Sequence, residues 1–123
     1  MSKTVLVAED HEDNLVIVST ILMHQGYAVL QARDGKEALA LARTKTPDLL
    51  LLDVSLPYLD GWVICSELKA DPATAGIVVV ILTAHALQED RDHAREVGSD
   101  AYLSKPIEPK RVADTVRAFI GPA

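Results

Sequence analysis

Short apolar runs alternate with amphipathic stretches along the whole chain. Five runs rich in β-formers are short enough to be strands, at residues 3–8, 27–32, 48–53, 77–82 and 101–103. Between and after them, apolar residues recur at the three- and four-residue spacing of helices with one buried face. The pattern therefore predicts five strand–helix units in alternation.

The predicted helices begin and end at recognisable signals. They cover residues 13–25, from 35 to just before 47, from 61 to about 69, 87–97, and from about 108 towards the end. A glycine follows the first and the fourth helix as a stop signal. The last helix would bury Val112 and Val116 together with either Phe119 or Ile120.

The predicted strands lack the alternating pattern of sheets with one exposed face. Residues 49–52 are four consecutive leucines, and residues 77–82 are apolar throughout, which is typical of parallel strands covered by helices on both faces. Five such units predict a doubly wound α/β sandwich. We expect the flavodoxin-like strand order 2-1-3-4-5, which makes the first and third strands neighbours where the order reverses.

Composition argues against several classes of protein. At 123 residues the chain has the length of one domain, and we expect residues 1–123 to form it without a separate output domain. A net charge of −6 argues against a nucleic-acid-binding surface. No apolar run approaches the roughly 20 residues of a membrane span, and the amino terminus does not resemble a secretory signal. With Cys65 as the single cysteine, we expect a cytoplasmic protein.

Acidic side chains lie where two of the predicted strands end. Glu9 and Asp10 come after the first strand, and Asp53 ends the third. Ligands of such sheets bind beyond the carboxyl ends of the strands, and three carboxylates gathered there would repel one another without a cation. Oxygen ligands with open water positions suit Mg²⁺, which usually accompanies phosphate chemistry.

Two further strand ends supply groups that complement these carboxylates. Thr83 and Ala84, after the fourth strand, offer a hydroxyl group and a backbone N–H that a ligand can approach closely. Lys105, after the fifth strand, offers a cation. The combined set fits phosphoryl transfer, where positioning and charge neutralisation dominate catalysis.

The order of these motifs closely resembles the receiver domain of two-component response regulators, in particular the single-domain regulators of chemotaxis and cell division. The matching residues are Glu9-Asp10, Asp53, Leu56-Pro57, Asp60-Gly61, Thr83-Ala84, Tyr102 and Lys105-Pro106. Each piece alone is weakly specific, but the ordered set spans essentially the whole chain. The resemblance implies a phosphorylation-dependent signalling switch rather than an enzyme that acts on other molecules.

By this resemblance, Asp53 is the phospho-acceptor. It would take a phosphoryl group from the phosphohistidine of a sensor histidine kinase or a histidine phosphotransfer protein. Mg²⁺ would be bound directly by Asp10, Asp53 and the backbone carbonyl of Ser55, and through water by Glu9. The chain would catalyse only its own phosphorylation and dephosphorylation.

The resemblance also implies a conformational switch. Lys105 would pair with a phosphoryl oxygen, held by a cis peptide bond to Pro106, while Thr83 and the N–H of Ala84 close on the phosphoryl group. Movement of Thr83 would let the ring of Tyr102 turn inward, which remodels the face of the fourth helix, fifth strand and fifth helix for a downstream protein target. We expect a monomer or a weak dimer.

Ser55 and His85 each lie two residues beyond a key position, Asp53 and Thr83 respectively. In the family that the chain resembles, these two positions line the mouth through which hydrolytic water enters. The resemblance therefore implies that both residues tune the lifetime of the phosphorylated state.

Several of these residues also have ordinary structural interpretations. Asp53 or Thr83 could cap a helix, Glu9 could be a solvated charge, and Tyr102 could be a half-buried strand aromatic. The sequence predicts no separate metal site, because metal-ligand spacing is absent among the histidines and the cysteine, His11, His24, His85, His93 and Cys65.

Two other functions stay open at this point. A Mg²⁺-dependent phosphohydrolase with an aspartyl nucleophile would use a similar fold, but its DxDx[TV] motif follows the first strand, whereas Asp53-Val54-Ser55 follows the third. A phosphate-independent scaffold would bind partners without phosphorylation. Within the switch hypothesis, direct partner binding and relay of the phosphoryl group to a phosphotransfer protein are both compatible with the sequence.

Overall fold

The computed structural model describes residues 3–84, 88–106 and 108–123. Within them, the strands are β1 (Thr4–Ala8), β2 (Ala28–Ala32), β3 (Leu49–Asp53), β4 (Val78–Thr83) and β5 (Ala101–Ser104). The helices are α1 (Glu12–His24), α2 (Gly35–Lys45), α3 (Gly61–Ala70), α4 (Gln88–Glu96) and α5 (Pro109–Ile120). The predicted boundaries differ from these by about one residue. The predicted start of the fourth helix at Leu87 lies outside the described residues.

The sheet has the predicted topology. All four strand pairings are parallel, and the strand order is β2-β1-β3-β4-β5. This confirms the flavodoxin-like, doubly wound α/β architecture. Ala8 in β1 pairs with Leu52 in β3, so the residues that follow these two positions lie side by side at the carboxyl edge of the sheet.

The central strand β3 separates two apolar layers. Leu50 and Leu52 belong to the cluster that packs under α2 and α3, whereas Leu49 and Leu51 belong to the cluster that packs under α1 and α5. All five residues of β3 are buried, as expected for a parallel strand covered on both faces. The strand therefore holds its last residue, Asp53, in a densely packed position.

The helices each bury one face, and none of those described is long and apolar enough to cross a membrane. In α5, Val112 and Val116 are buried and Ile120 packs against the same cluster, whereas Phe119 is 42% exposed. Residues four apart share one face of a helix. The structure therefore decides between the two candidates for the last buried position of α5 in favour of Ile120, which lies four residues after Val116.

Helix α4 has few apolar anchors among its described side chains. Ala94 is buried, and the ring of His93 stacks on that of Trp62 in α3, with the ring centroids 4.2 Å apart. The guanidinium group of Arg91 lies 5.9 Å from the centroid of the Tyr102 ring. Contacts between rings and polar groups therefore contribute much of the attachment of α4.

The loop between β3 and α3 packs closely on the start of α2. The N–H of Gly35 donates to the carbonyl of Pro57 at 3.0 Å, and a Cβ atom at position 35 would lie 2.4 Å from the carbonyl oxygen of Leu59. Glycine is therefore the residue that lets the two segments approach. Between these contacts, Tyr58 has a φ of 69°, which is uncommon for an aromatic residue. This packing positions the loop that follows Asp53.

Candidate active site

The carboxyl ends of β1 and β3 bring acidic side chains together. Glu9 and Asp10 follow β1, and Asp53 is the last residue of β3. Glu9 and Asp53 are each 1% exposed, whereas the Asp10 side chain is 30% exposed. One potential ligand atom from each of them and from His11 lies within 4.8 Å of all the others. The structure therefore contains the acidic cluster that the strand ends predict.

Lys105 reaches this cluster from just beyond the end of β5. Its Nζ lies 2.7 Å from Oδ2 of Asp53 and 3.2 Å from each carboxylate oxygen of Glu9. The backbone N–H of Lys105 donates to the carbonyl of Thr83 at 2.7 Å, and the peptide bond to Pro106 is cis. The ammonium group therefore bridges two buried carboxylates and reduces their mutual repulsion.

The two oxygens of the Asp53 carboxylate have different partners. Oδ2 accepts from Lys105, and Oδ1 accepts from the backbone N–H and the hydroxyl group of Ser55, each at 2.9 Å. The side chain of Glu9 is held in addition by Asn14, whose Nδ2 donates to Oε1 at 3.1 Å. Hydrogen bonds from several elements therefore fix the orientation of both carboxylates.

Burial and hydrogen bonding change the pKa values of the three central groups. Burial raises the pKa of Glu9, and the hydrogen bond and negative charge of Asp53 act in the same direction. Burial also disfavours the charged form of Asp53, but hydrogen bonds from Glu9, Lys105 and Ser55 outweigh it and lower the pKa of Asp53 to about 2. Burial alone would lower the pKa of Lys105, but Asp53 and Glu9 raise it. At neutral pH, an ionised Asp53 therefore faces a protonated Lys105.

Thr83 and Tyr102 lie on β4 and β5, on the side of the sheet next to β3, and Ala84 directly follows β4. Thr83 is the last residue of β4 and is buried, and β4 pairs with β3 along its length up to Asp53. Ala84 follows it and is exposed. Tyr102 in β5 packs, partly buried, against the apolar layer under α2 and α3. His85, the predicted partner of Ser55 in tuning the phosphate lifetime, lies outside the described residues.

Two residues of the site, His11 and Asn14, were not predicted from the sequence. Nδ1 of His11 lies 3.3 Å from Oε1 of Glu9 and 3.3 Å from Oδ1 of Asp10. A search for histidines and cysteines at metal-ligand spacing misses a single histidine that directly follows two carboxylates. The sequence signal for His11 was its position directly after Glu9 and Asp10. The signal for Asn14 was its position in the first turn of α1, close to the same carboxylates.

The fold and these strand-end groups match one family of signalling domains. The family model described as the response regulator receiver domain matches residues 5–117. The chain belongs to this family. It is therefore a receiver domain of a two-component system, and the likeness expected from the motifs is confirmed.

Individual relatives agree with the family match. The polar-differentiation response regulator DivK of Brucella ovis is 37% identical to this receiver domain over 123 residues, which is 100% of both chains. The solved structure of the chemotaxis response regulator CheY4 of Vibrio cholerae is 27% identical and has a TM-score of 0.91, covering 98% of this chain and 100% of that chain. The receiver domain of a sensor histidine kinase from Pseudomonas aeruginosa, solved with a magnesium ion coordinated in the active site cleft, is 30% identical and has a TM-score of 0.89, covering 98% of this chain and 99% of that chain.

Proposed function

We propose that this receiver domain is a phosphorylation-dependent switch in which Asp53 accepts a phosphoryl group from a phosphohistidine. The environment of Asp53 carries the proposal. Its buried carboxylate ends the central strand, with one oxygen 2.7 Å from the ammonium group of Lys105 and the other 2.9 Å from the hydroxyl group of Ser55. The donor would be a sensor histidine kinase or a histidine phosphotransfer protein.

The ionised carboxylate of Asp53 suits the role of nucleophile. Its pKa of about 2 means that it carries its negative charge at neutral pH. One oxygen attacks phosphorus while the P–N bond to the donor histidine breaks, and the ring nitrogen leaves with the electron pair of that bond. Lys105 offsets the negative charge of the phosphoryl oxygens as they arrive.

The donor set of the cluster fits Mg²⁺. Glu9, Asp10 and Asp53 contribute carboxylate oxygens, the hard ligands that Mg²⁺ prefers. We assign direct contacts to Asp10, Asp53 and the backbone carbonyl of Ser55, and a contact through water to Glu9. The magnesium ion in the active site cleft of the Pseudomonas aeruginosa relative supports Mg²⁺ as the ion bound here. When bound, Mg²⁺ would supply positive charge that neutralises phosphoryl oxygens.

The switch would follow from contacts to the transferred phosphoryl group. Thr83 and the N–H of Ala84 would bind it, since they lie at the adjacent strand end, and Tyr102 would turn inward behind Thr83. The face of α4, β5 and α5 would then change and bind a downstream protein. The sparse apolar anchoring of α4, in which Ala94 is the buried side chain among those described, supports this, because few contacts oppose its movement.

Ser55 and His85 would tune the lifetime of the phosphorylated state. The hydroxyl group of Ser55 lies 2.9 Å from Oδ1 of Asp53, which is beside the bond that water must break. Ser55 can therefore order or exclude that water. The role of His85 is proposed from the family resemblance alone.

Intact-mass measurement after incubation with acetyl phosphate tests the proposal. The wild-type protein should gain one phosphoryl group with Mg²⁺ and none in the presence of a chelator, and Asp53→Asn should gain none under either condition. The matched control is Asp48→Asn, because Asp48 directly precedes the same strand at the end opposite to Asp53, where its Oδ2 accepts from the N–H of Thr4 at 2.7 Å. This control should be phosphorylated like the wild type.

The other functions predict different results. The absence of any adduct in folded wild-type protein would overturn the switch proposal, and full biological activity of Asp53→Asn would favour the phosphate-independent scaffold. Rapid, continued hydrolysis of p-nitrophenyl phosphate would instead identify a phosphohydrolase.

A further inference from the structure

Neither helix capping nor core packing explains the histidine at position 11. His11 occupies the N-cap position of α1, but its side chain makes no capping hydrogen bond. The residues preferred there are Asn, Asp, Ser and Thr, whose side-chain oxygens accept from helix N–H groups. The His11 side chain is also 67% exposed. Its contacts with the acidic cluster are therefore the feature that requires an explanation.

The distances around His11 fit a shared metal ion. Nδ1 lies 3.3 Å from an oxygen of Glu9 and 3.3 Å from an oxygen of Asp10. Two ligands at right angles on an ion with bonds of ~2.1 Å are about 3 Å apart, and two opposite ligands are about 4.2 Å apart. The potential ligand atoms of Glu9, Asp10, His11 and Asp53 lie within 4.8 Å of one another. Small side-chain rotations would therefore bring the ligand atoms of Asp10, His11 and Asp53 into one octahedral shell, with Glu9 beside it and linked through water, and the exposed imidazole is able to rotate.

We propose that His11 contributes an imidazole nitrogen to the metal site and makes the site bind first-row transition ions such as Ni²⁺ more tightly than Mg²⁺. This inference rests on the proposed function, which places the metal ion beside Asp10 and Asp53. Mg²⁺ prefers oxygen ligands and retains its water molecules, so an added imidazole changes its affinity little. Ni²⁺, Co²⁺ and Zn²⁺ bind imidazole well. The carboxylates therefore hold either type of ion, and His11 discriminates between them.

Three variants separate the nitrogen from other properties of the side chain. His11→Asn removes the imidazole and introduces a favoured N-cap residue, so this variant should fold at least as well as the wild type. His11→Phe keeps a flat ring but has no ligand atom. His24→Asn is the matched control, because His24 is exposed in the last turn of the same helix, at the opposite end from His11.

Isothermal titration calorimetry of the tag-free proteins with Ni²⁺ and with Mg²⁺ measures the selectivity. In both His11 variants the Kd for Ni²⁺ should rise at least about tenfold, while the Kd for Mg²⁺ should stay within about twofold of the wild-type value. Pulsed electron paramagnetic resonance of bound Mn²⁺ should show coupling to an imidazole nitrogen in the wild type and in His24→Asn, and none in either His11 variant. A purely structural role of His11 would not produce this coupling.

The results distinguish a failure of this inference from a failure of the proposed function. An unchanged ratio of Ni²⁺ to Mg²⁺ affinity in the His11 variants, or a nitrogen coupling that survives His11→Phe, would overturn the role of His11 and leave the proposed function intact. Wild-type protein that binds neither ion would overturn both. Ni²⁺ binding that depends on His11, in a protein without measurable Mg²⁺ affinity, would support the histidine ligand and contradict Mg²⁺ as the resident ion.

Discussion

The two ends of the sheet carry the same types of charged side chain, carboxylates and a lysine, but arrange them differently. At the amino end, Oδ2 of Asp48 accepts from the N–H of Thr4 at 2.7 Å, and Oδ2 of Asp100 accepts from the N–H of Val79 at 2.8 Å. Thr4 is the first residue of β1 and Val79 is the second residue of β4, so both N–H groups lie near the start of a strand, where the ladder leaves donors to be satisfied. Carboxylates at this end therefore complete the hydrogen bonding of the sheet.

At the carboxyl end, the carboxylates of Glu9 and Asp53 share the ammonium group of Lys105. The comparable lysine at the amino end, Lys69, pairs with the single carboxylate of Asp100 at 2.8 Å and also donates to backbone carbonyls. The amino-end pair is balanced in charge, whereas the carboxyl-end cluster keeps excess negative charge that attracts a cation. Position relative to the strand direction, rather than residue type, thus separates structural from functional charges in this fold.

The largest expected effect is a difference in phosphorylation rate between two variants, each of which lacks the lysine at one end of the sheet. Lys105→Met removes the cation beside Asp53, so the rate of adduct formation with acetyl phosphate and Mg²⁺ should fall about 10²–10³-fold, the usual cost of losing one charge-stabilising group. Lys69→Met should keep the wild-type rate, because Lys69 lies at the other end of the sheet. Time-resolved intact-mass measurement follows both reactions. Similar losses in the two variants would abolish the distinction between the ends.

The free energy of unfolding should distinguish the same two lysines through its dependence on Mg²⁺. With EDTA, Lys105→Met leaves two buried carboxylates without their cation and should lose about 2 kcal/mol. Lys69→Met removes the ammonium partner of Asp100, which keeps the N–H of Val79, and removes the donor to two backbone carbonyls, so this variant should lose about 1 kcal/mol. In urea titrations, Mg²⁺ should stabilise Lys105→Met more than the wild type, and Lys69→Met by the same amount as the wild type. An identical increment in all three proteins would contradict the comparison.

The smallest predicted effect concerns the protonation of Glu9. Burial, assisted by Asp53, raises the pKa of this carboxyl group. The contribution of Glu9 to the free energy of unfolding is therefore fully present below the unfolded-state pKa of about 4.3. It is lost as the pH rises through the folded-state pKa. With EDTA at pH 7, Glu9→Gln should thus be about 1 kcal/mol more stable than the wild type, and the difference should vanish near pH 4. Urea titrations at the two pH values measure this change.

A surface glutamate provides the control for this substitution. Glu67 is 46% exposed and lies 3.6 Å from Arg43, so Glu67→Gln should change the free energy of unfolding by less than about 0.5 kcal/mol at pH 7. If Glu9→Gln were less stable than the wild type at pH 7, the ionised form of Glu9 would be stabilised by folding, and the assigned direction of its pKa shift would be wrong.

The fold could be predicted from the sequence because each element carries its own signal. The continuous apolar run of residues 49–52 marks a strand buried on both faces, and the four-residue spacing of Val112 and Val116 marks the buried face of the last helix. The strand order came from precedent, and the pairing of β1 with β3 confirms it. The choice between Phe119 and Ile120 depended on the exact rotation of α5, which the spacing of apolar residues alone does not determine.

The acidic cluster could be predicted because its members directly follow strands, and strand ends converge in a parallel sheet. The contacts of His11 and Asn14 were not predicted, since they depend on the direction of side chains in the first turn of α1. Two other contacts were not predicted either. The hydroxyl group of Ser55 bonds to Asp53, and Lys69 pairs with Asp100, a residue far from it in sequence. Such contacts require the path of the loops as well as the order of the strands.

The stacking of Trp62 on His93 gives this protein an internal optical reporter. Trp62 is the single tryptophan of the chain, so all indole emission originates where α3 meets α4. The ring centroids of Trp62 and His93 are 4.2 Å apart, and a displacement of α4 that separates the rings changes the surroundings of the indole. Fluorescence in a stopped-flow instrument can therefore time the motion of α4 in the unlabelled protein, on the same sample that reports phosphorylation by mass.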